Sequence, residues 1–213
     1  MPNFLYAAHS YLNEWMYRDR GFHEVLAFDK WHETDAAKGR KCLVEMATYY
    51  GVIRTLKVTG EEFRLQAAYD KVSEIQPPTV TDAAAKVEDL ARALESVYGK
   101  TPWSAASKFL WMRFRSPIVI YDSIASHWLC KHGTYSDDSY ENYCKAWLSK
   151  YCELEDQIRE ACAEIVAIKK FTLAYETPDS ELSEWTSSRW FMERVFDHYM
   201  LNYDVLKTPV GLP

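Results

Sequence analysis

The sequence predicts an all-α fold. Glycine and proline are scarce, with 7 and 8 residues in a chain of 213, and they fall where long helices would end. Helix-capping residues precede most of the segments between them. No pair of segments reads as adjacent strands, and the apolar run at 118–121 is too isolated to form a sheet. We therefore expect one compact α-helical domain, or two helical lobes, with about nine helices.

The first helices are defined by their end signals. A helix is expected from Phe4 to Asp19, ended by Gly21, and a second over about 35–57. Thr59-Gly-Glu-Glu62 is typical of a capping box, and it predicts a helix that continues to Pro77-Pro78.

The later helices follow the same rules. Thr81-Asp82 begins a helix that Gly99 ends, and Thr101-Pro102 begins the next, with proline in its first turn. Asp122 is the expected N-cap of a helix closed by Gly133. A long helical region is predicted over 136–170. Thr177-Pro178 and Ser187 begin one or two final helices, which reach about residue 203.

Composition excludes several classes of protein. With 48% hydrophobic and 26% charged residues the chain is globular, and no apolar run approaches the ~20 residues of a membrane helix. The start of the chain lacks the pattern of a signal peptide, so we expect a cytoplasmic protein. The five cysteines form no CxxC pair, which favours reduced core thiols over a metal site. We predict no metal and no cofactor.

Charge is distributed unevenly along the chain. The net charge is −6, yet residues 99–133 contain five basic residues and one acid, a net charge of +4. A basic strip on an acidic body suits an anionic polymer held at one place. On charge alone, a chance fluctuation of charge on a solvated surface is the favoured explanation of the strip.

The segment 102–115 has two unlike faces when drawn as a helix. Ser104, Lys108, Trp111 and Arg115 fall on one narrow stripe, while small and aromatic residues cover the opposite side. Arg113 lies within the apolar side, so it needs a partner or a route past the helix end. A surface helix with a tryptophan at its rim accounts for most of this pattern.

The order of these parts resembles the helix-hairpin-helix DNA glycosylases. The corresponding pieces are a hairpin at Gly99-Lys-Thr-Pro-Trp103, the helix SAASKFLWMRF, and Ile120-Tyr121-Asp122 before a new helix. The resemblance covers about 90–132 and is closest to small prokaryotic members, including antiphage ones that attack modified bases. It implies an enzyme that excises a damaged or modified base from duplex DNA.

The resemblance also implies roles for individual residues. Asp122 would be the catalytic carboxylate, facing a nucleotide flipped out of the duplex. The residues expected at the DNA are Lys100, Thr101, Trp103, Ser104, Lys108, Arg113, Arg115, Ser123 and His127. Trp15, Trp111, Tyr121 and Trp190 are candidates for the base pocket.

Two positions depart from the family pattern. Thr101 stands where the hairpin has its second glycine, and Trp103 stands where bifunctional members carry a nucleophilic lysine. The sequence therefore favours a monofunctional glycosylase. The alternative is a non-catalytic helical module that binds DNA or a protein, in which Asp122 is only a helix cap worth about 1 kcal/mol.

Overall fold

The computed structural model describes residues 4–31, 35–52, 61–99, 101–132, 135 and 139–203. Within these ranges all regular structure is helical and no strand is present, which confirms the all-α prediction. The α-helices, in chain order, are α1 (Phe4–Glu14), α2 (Arg20–Leu26), α3 (Ala36–Tyr49), α4 (Glu61–Glu74), α5 (Ala83–Tyr98), α6 (Trp103–Phe114), α7 (Ser123–His132), α8 (Tyr140–Ile168), α9 (Asp179–Ser187) and α10 (Arg189–Leu201).

The first predicted helix is divided in a way that the sequence did not indicate. A π-helical segment, Trp15–Asp19, joins α1 to α2, and Gly21 lies inside α2 instead of ending a helix. Gly21 has no left-handed backbone conformation, so it acts here as an ordinary helical residue. The prediction that Gly21 stops the helix is therefore wrong. Single π-helical turns of this kind are common at functional sites.

Several predicted helix ends are confirmed. Asp35 caps α3, with its carboxylate accepting a hydrogen bond from the Ala37 amide at 2.5 Å. Gly99 ends α5 in the left-handed conformation, with φ of 72°. However, α3 ends at Tyr49, well before residue 57, and Pro102 precedes α6 instead of lying in its first turn. Thr59 and Gly133 lie outside the described residues.

The chain divides into two compact units. The first comprises residues 1–17, 123–137 and 145–213, and in it α1 and α7 pack against α10. Its core contains Tyr11, Phe191, Val195 and Phe196, each fully buried. Within the described ranges, no helix has the length and apolar character that crossing a membrane requires.

The second unit comprises residues 18–122 and 138–144. In it α3 packs against α2 and α4, and α5 packs against both α4 and α6. The helix α6 is the most buried of these, because every residue from Ala105 to Arg113 is shielded from solvent. The predicted site is built around this helix.

Candidate functional site

The segment before Asp122, residues 118–120, is buried and held by hydrogen bonds. Ile118, Val119 and Ile120 are each at most 5% exposed. Two tyrosines at the start of α8 fix the segment's backbone, because the hydroxyls of Tyr140 and Tyr143 donate to the carbonyls of Val119 and Ile120 at 2.5 and 2.9 Å. Asp122 follows directly, immediately before α7, at the position of a helix N-cap.

A third hydrogen bond ties this segment to α6. The Tyr121 amide donates to the hydroxyl of Ser107, which is fully buried, at 3.0 Å. Together the three bonds fix the backbone on which the Asp122 carboxylate is mounted. That carboxylate remains accessible, since 30% of its side chain is exposed.

Lys108 is the cationic partner of Asp122. Its Nζ lies 3.5 Å from Asp122 Oδ2 and donates to Ser104 Oγ at 2.7 Å. Only 7% of the Lys108 side chain is exposed. On this face α6 is covered and the ammonium is turned towards Asp122, so a contact of Lys108 with a DNA phosphate stays a prediction.

Tyr121 directly precedes Asp122, and Tyr50 lies near Lys108. Trp103 and Tyr121, both half-buried, meet edge to face with their centroids 5.7 Å apart, and Tyr121 meets Tyr143 at 4.9 Å. The ring centroid of Tyr50 lies 6.0 Å from Lys108 Nζ. A contact of Trp103 with DNA and of Tyr121 with a base stays a prediction, whereas Tyr50 and Tyr143 come from distant parts of the sequence and were not predicted.

Arg113 lies in the core. It is 2% exposed, and its guanidinium lies 4.3 to 5.2 Å from the ring centroids of Trp31, Phe28 and Phe114. It also donates to the Ser73 carbonyl at 3.2 Å. Burial lowers the pKa of Arg113 to about 10, which leaves it charged at neutral pH. The aromatic rings enclose the cation, and the predicted DNA contact by Arg113 stays a prediction.

The remaining predicted residues differ in their solvent exposure. Thr101, Ser123 and His127 are exposed and Arg115 is half-buried, whereas Lys100 lies outside the described residues. Trp111 is 1% exposed, so it offers no free surface for stacking here, and its assignment to a base pocket stays a prediction. Lys108 and Arg113 are buried, so these two members of the basic strip add little exposed charge.

Trp15 and Trp190, the other pocket candidates, lie in the first unit. Their ring centroids are 4.6 Å apart, and Trp185 contacts Trp15 edge to face at 6.1 Å. Trp15 is buried, while Trp185 and Trp190 are half-buried. The three tryptophans form a cluster within that unit, and a role in holding a base stays a prediction.

A second group of buried polar side chains lies on α10, also in the first unit. Asp197 accepts hydrogen bonds from Trp147 Nε1 at 2.8 Å and from Arg194 at 2.9 Å. His198 contacts Glu14 at 3.4 Å through Nε2 and Ser10 at 3.4 Å through Nδ1. Burial, together with the charge of Arg194, lowers the pKa of His198 to about 3 despite Glu14, so the imidazole is neutral. These contacts tie α10 to α1 and α8.

The cysteines separate into two groups. All five are free; Cys42, Cys144 and Cys162 are buried, whereas Cys130 and Cys152 are exposed, so only three are core thiols. Across the ranges that the structure describes, no three histidine, cysteine, aspartate or glutamate side chains are grouped to hold a metal ion.

The comparisons with known proteins give no further assignment. No family model, curated protein or solved structure matches this chain.

Proposed function

We propose that this protein is a monofunctional DNA glycosylase that hydrolyses the N-glycosidic bond of a damaged or modified base in duplex DNA. The observation that carries the proposal is the Lys108–Asp122 pair. An accessible carboxylate stands at the end of a rigid, buried segment, beside a buried ammonium at 3.5 Å. An aspartate serving only as a helix cap needs neither a buried cation nor three hydrogen bonds fixing the segment before it.

The chemistry requires a carboxylate held in this way. As the bond from C1′ to the base breaks, the bonding electrons leave with the base and positive charge builds on the deoxyribose. Asp122 stabilises that charge and accepts a proton from the water that attacks C1′, leaving an abasic site and the free base. A carboxylate on a fixed backbone needs little reorganisation during the reaction.

The aromatic side chains support the same proposal. A base leaves the duplex at a cost of a few kcal/mol, which stacking in a pocket repays. Tyr121 directly precedes Asp122 and meets Trp103 edge to face; both rings are half-buried and have the planar surfaces that such a base needs. Either a lesion or a hypermodified phage base fits this chemistry, so both repair and antiphage roles belong to the proposal.

A second candidate activity is favoured by the position of Lys108. The open form of an abasic site has an aldehyde at C1′, and a lysine amine attacks such a carbonyl to form an imine with loss of water. Trp103 occupies the sequence position of the family's lysine, but Lys108 supplies an amine at Asp122 from one turn further along α6. Borohydride reduces an imine to a stable amine, so a covalent complex between protein and DNA would reveal this step.

The experiment compares two aspartates in similar positions. Wild type, Asp122→Asn and Asp82→Asn are incubated with duplexes that carry ordinary, damaged and phage-type modified bases, and abasic sites are scored by alkaline cleavage. Asp82 is the matched control, because it also stands directly before a helix and pairs with a lysine, Lys86. We expect wild type and Asp82→Asn to produce abasic sites on one base class and Asp122→Asn to produce none.

Two results would contradict the proposal. Equal activity in Asp122→Asn would remove the carboxylate from the mechanism. No abasic site on any duplex from the wild type would favour the non-catalytic module. A gel shift on the same duplexes would then separate a DNA-binding protein from one that binds a protein partner.

A further inference from the structure

A second carboxylate approaches the same site from a different part of the chain. Asp19 ends the π-helical segment and is fully buried. Its Oδ1 accepts a hydrogen bond from the Tyr50 hydroxyl at 2.5 Å. Burying a carboxylate is costly unless it accepts hydrogen bonds, and this bond supplies one of them while it orients the tyrosine side chain.

Tyr50 connects this carboxylate to Lys108. It follows the last residue of α3 and is half-buried, with the centroid of its ring 6.0 Å from Lys108 Nζ. The face of an aromatic ring attracts an ammonium, and more strongly where water is excluded. The ring therefore borders Lys108 independently of the contacts that the lysine makes with Ser104 and Asp122.

We propose that Asp19 and Tyr50 are positioning residues for the Lys108–Asp122 site: the buried carboxylate fixes the tyrosine ring, and the ring keeps the lysine ammonium beside Asp122. This inference rests on the proposed function for its catalytic meaning. The placement of Lys108 itself is measurable without any activity. The proposed arrangement involves the π-helical segment, the end of α3, and α6, three regions that are far apart in sequence.

Substitutions separate the contributions of the Tyr50 ring, the Tyr50 hydroxyl and the Asp19 carboxylate. Tyr50→Leu removes the ring, Tyr50→Phe keeps the ring but loses the bond to Asp19, and Asp19→Asn keeps an oxygen that accepts that bond. Tyr49→Leu is the matched control, because Tyr49 is the adjacent tyrosine and has its own cation, Arg18, 5.5 Å from its ring centroid.

The first measurement is the acylation rate of Lys108 by acetic anhydride, followed by mass spectrometry of peptides and compared with Lys86 in the same protein. We expect slow acylation in the wild type, Asp19→Asn and Tyr49→Leu. Tyr50→Leu should raise the Lys108 rate about tenfold, with a smaller rise for Tyr50→Phe. An unchanged Lys108 rate in Tyr50→Leu, or an equal rise at Lys86, would overturn the inference, because the ring would then not position this lysine.

The second measurement is excision kinetics on the duplex that the wild type cleaves. Tyr50→Leu and Lys108→Met should lower kcat with little change in KM, and the double variant should be no slower than Lys108→Met alone. If the fold losses in kcat of the two single variants multiplied in the double variant, the inference would be overturned, because Tyr50 would then act independently of Lys108. Lys108 could acylate faster in Tyr50→Leu although the wild type makes no abasic sites. In that case the positioning of Lys108 by Tyr50 stands and the proposed function fails.

Discussion

Asp82 and Asp122 each stand directly before a helix and each pair with a lysine, but only Asp122 pairs with a buried one. Lys86 lies four residues after Asp82 in the same helix, with Nζ 3.0 Å from the carboxylate and 24% of its side chain exposed. Lys108 comes from an earlier helix and is 7% exposed. The first pair is a surface contact within one helix, whereas the second holds a carboxylate and an ammonium from separate elements together.

This difference predicts unequal losses of stability. Lys108→Met should lower the free energy of unfolding by about 1–2 kcal/mol, because Ser104 and Asp122 lose a partner in a poorly solvated place. Lys86→Met should change it by less than about 0.5 kcal/mol, since exposed pairs contribute little. Urea unfolding of both variants measures the difference, and equal losses would show that burial of Lys108 has no energetic consequence.

Arg113 should matter for stability and not for DNA binding. Arg113→Ala should cost about 2–4 kcal/mol, because it leaves a cavity among Phe28, Trp31 and Phe114 and removes the cation from their faces. Arg113→Met should cost less, since it fills most of that volume. Urea unfolding gives the order, and a gel shift on folded Arg113→Met checks that any DNA affinity is retained. Lost affinity in a folded variant would return Arg113 to the DNA interface.

Two helical glycines should respond in opposite directions to alanine. A Cβ on Gly39 would lie 2.6 to 2.9 Å from atoms of the Tyr69 side chain, so Gly39→Ala should destabilise the protein by about 1–3 kcal/mol. A Cβ on Gly21 would meet nothing within 4 Å, and alanine should stabilise α2 by about 0.5–1 kcal/mol. Thermal unfolding of both variants tests this, and a gain for Gly39→Ala would mean that Tyr69 moves aside freely.

Acid should destabilise the first unit through His198. Its pKa is lowered to about 3 in the folded protein, so below the unfolded value of about 6.5 the unfolded chain binds the extra proton. The contribution of His198 to the free energy of unfolding is therefore fully present above pH 6.5 and is lost as the pH falls towards 3. At pH 5 this group accounts for a loss of up to about 2 kcal/mol.

The His198→Gln variant isolates this contribution. Urea unfolding at pH 7 and pH 5 should show a smaller acid loss in the variant than in the wild type. His23, whose pKa burial and Arg115 lower to about 4, adds a loss of the same sign and remains in both proteins. An identical acid loss in the two proteins would contradict a neutral, buried His198.

Thiol reactivity should divide the five cysteines. Cys130 and Cys152 are exposed and should react with a thiol reagent in the native protein. Burial raises the pKa of Cys42, Cys144 and Cys162 to about 12, so these lack the reactive thiolate at neutral pH. We expect two fast equivalents in buffer and five in denaturant, counted by absorbance. Rapid native labelling of a third cysteine would place it at the surface.

The sequence alone determined the features that depend on neighbouring residues. The all-α class followed from the spacing of glycines, prolines and caps, and Asp35 and Gly99 mark helix ends because a cap acts on backbone groups within one turn. The start of α7 after Asp122 was predictable for the same reason. Gly21 failed as an end signal, because glycine is tolerated inside a helix when its φ is ordinary.

The tertiary structure decided everything that depends on burial and on distant partners. A helical projection placed Lys108 on a polar stripe and left Arg113 among apolar residues, but it cannot tell which faces other helices cover. Packing covers both faces of α6, so Lys108 turns to Asp122 and Arg113 is enclosed by aromatic rings. Asp19 and Tyr50 join the site from 58 or more residues before Lys108 in the sequence, a separation that no local pattern spans.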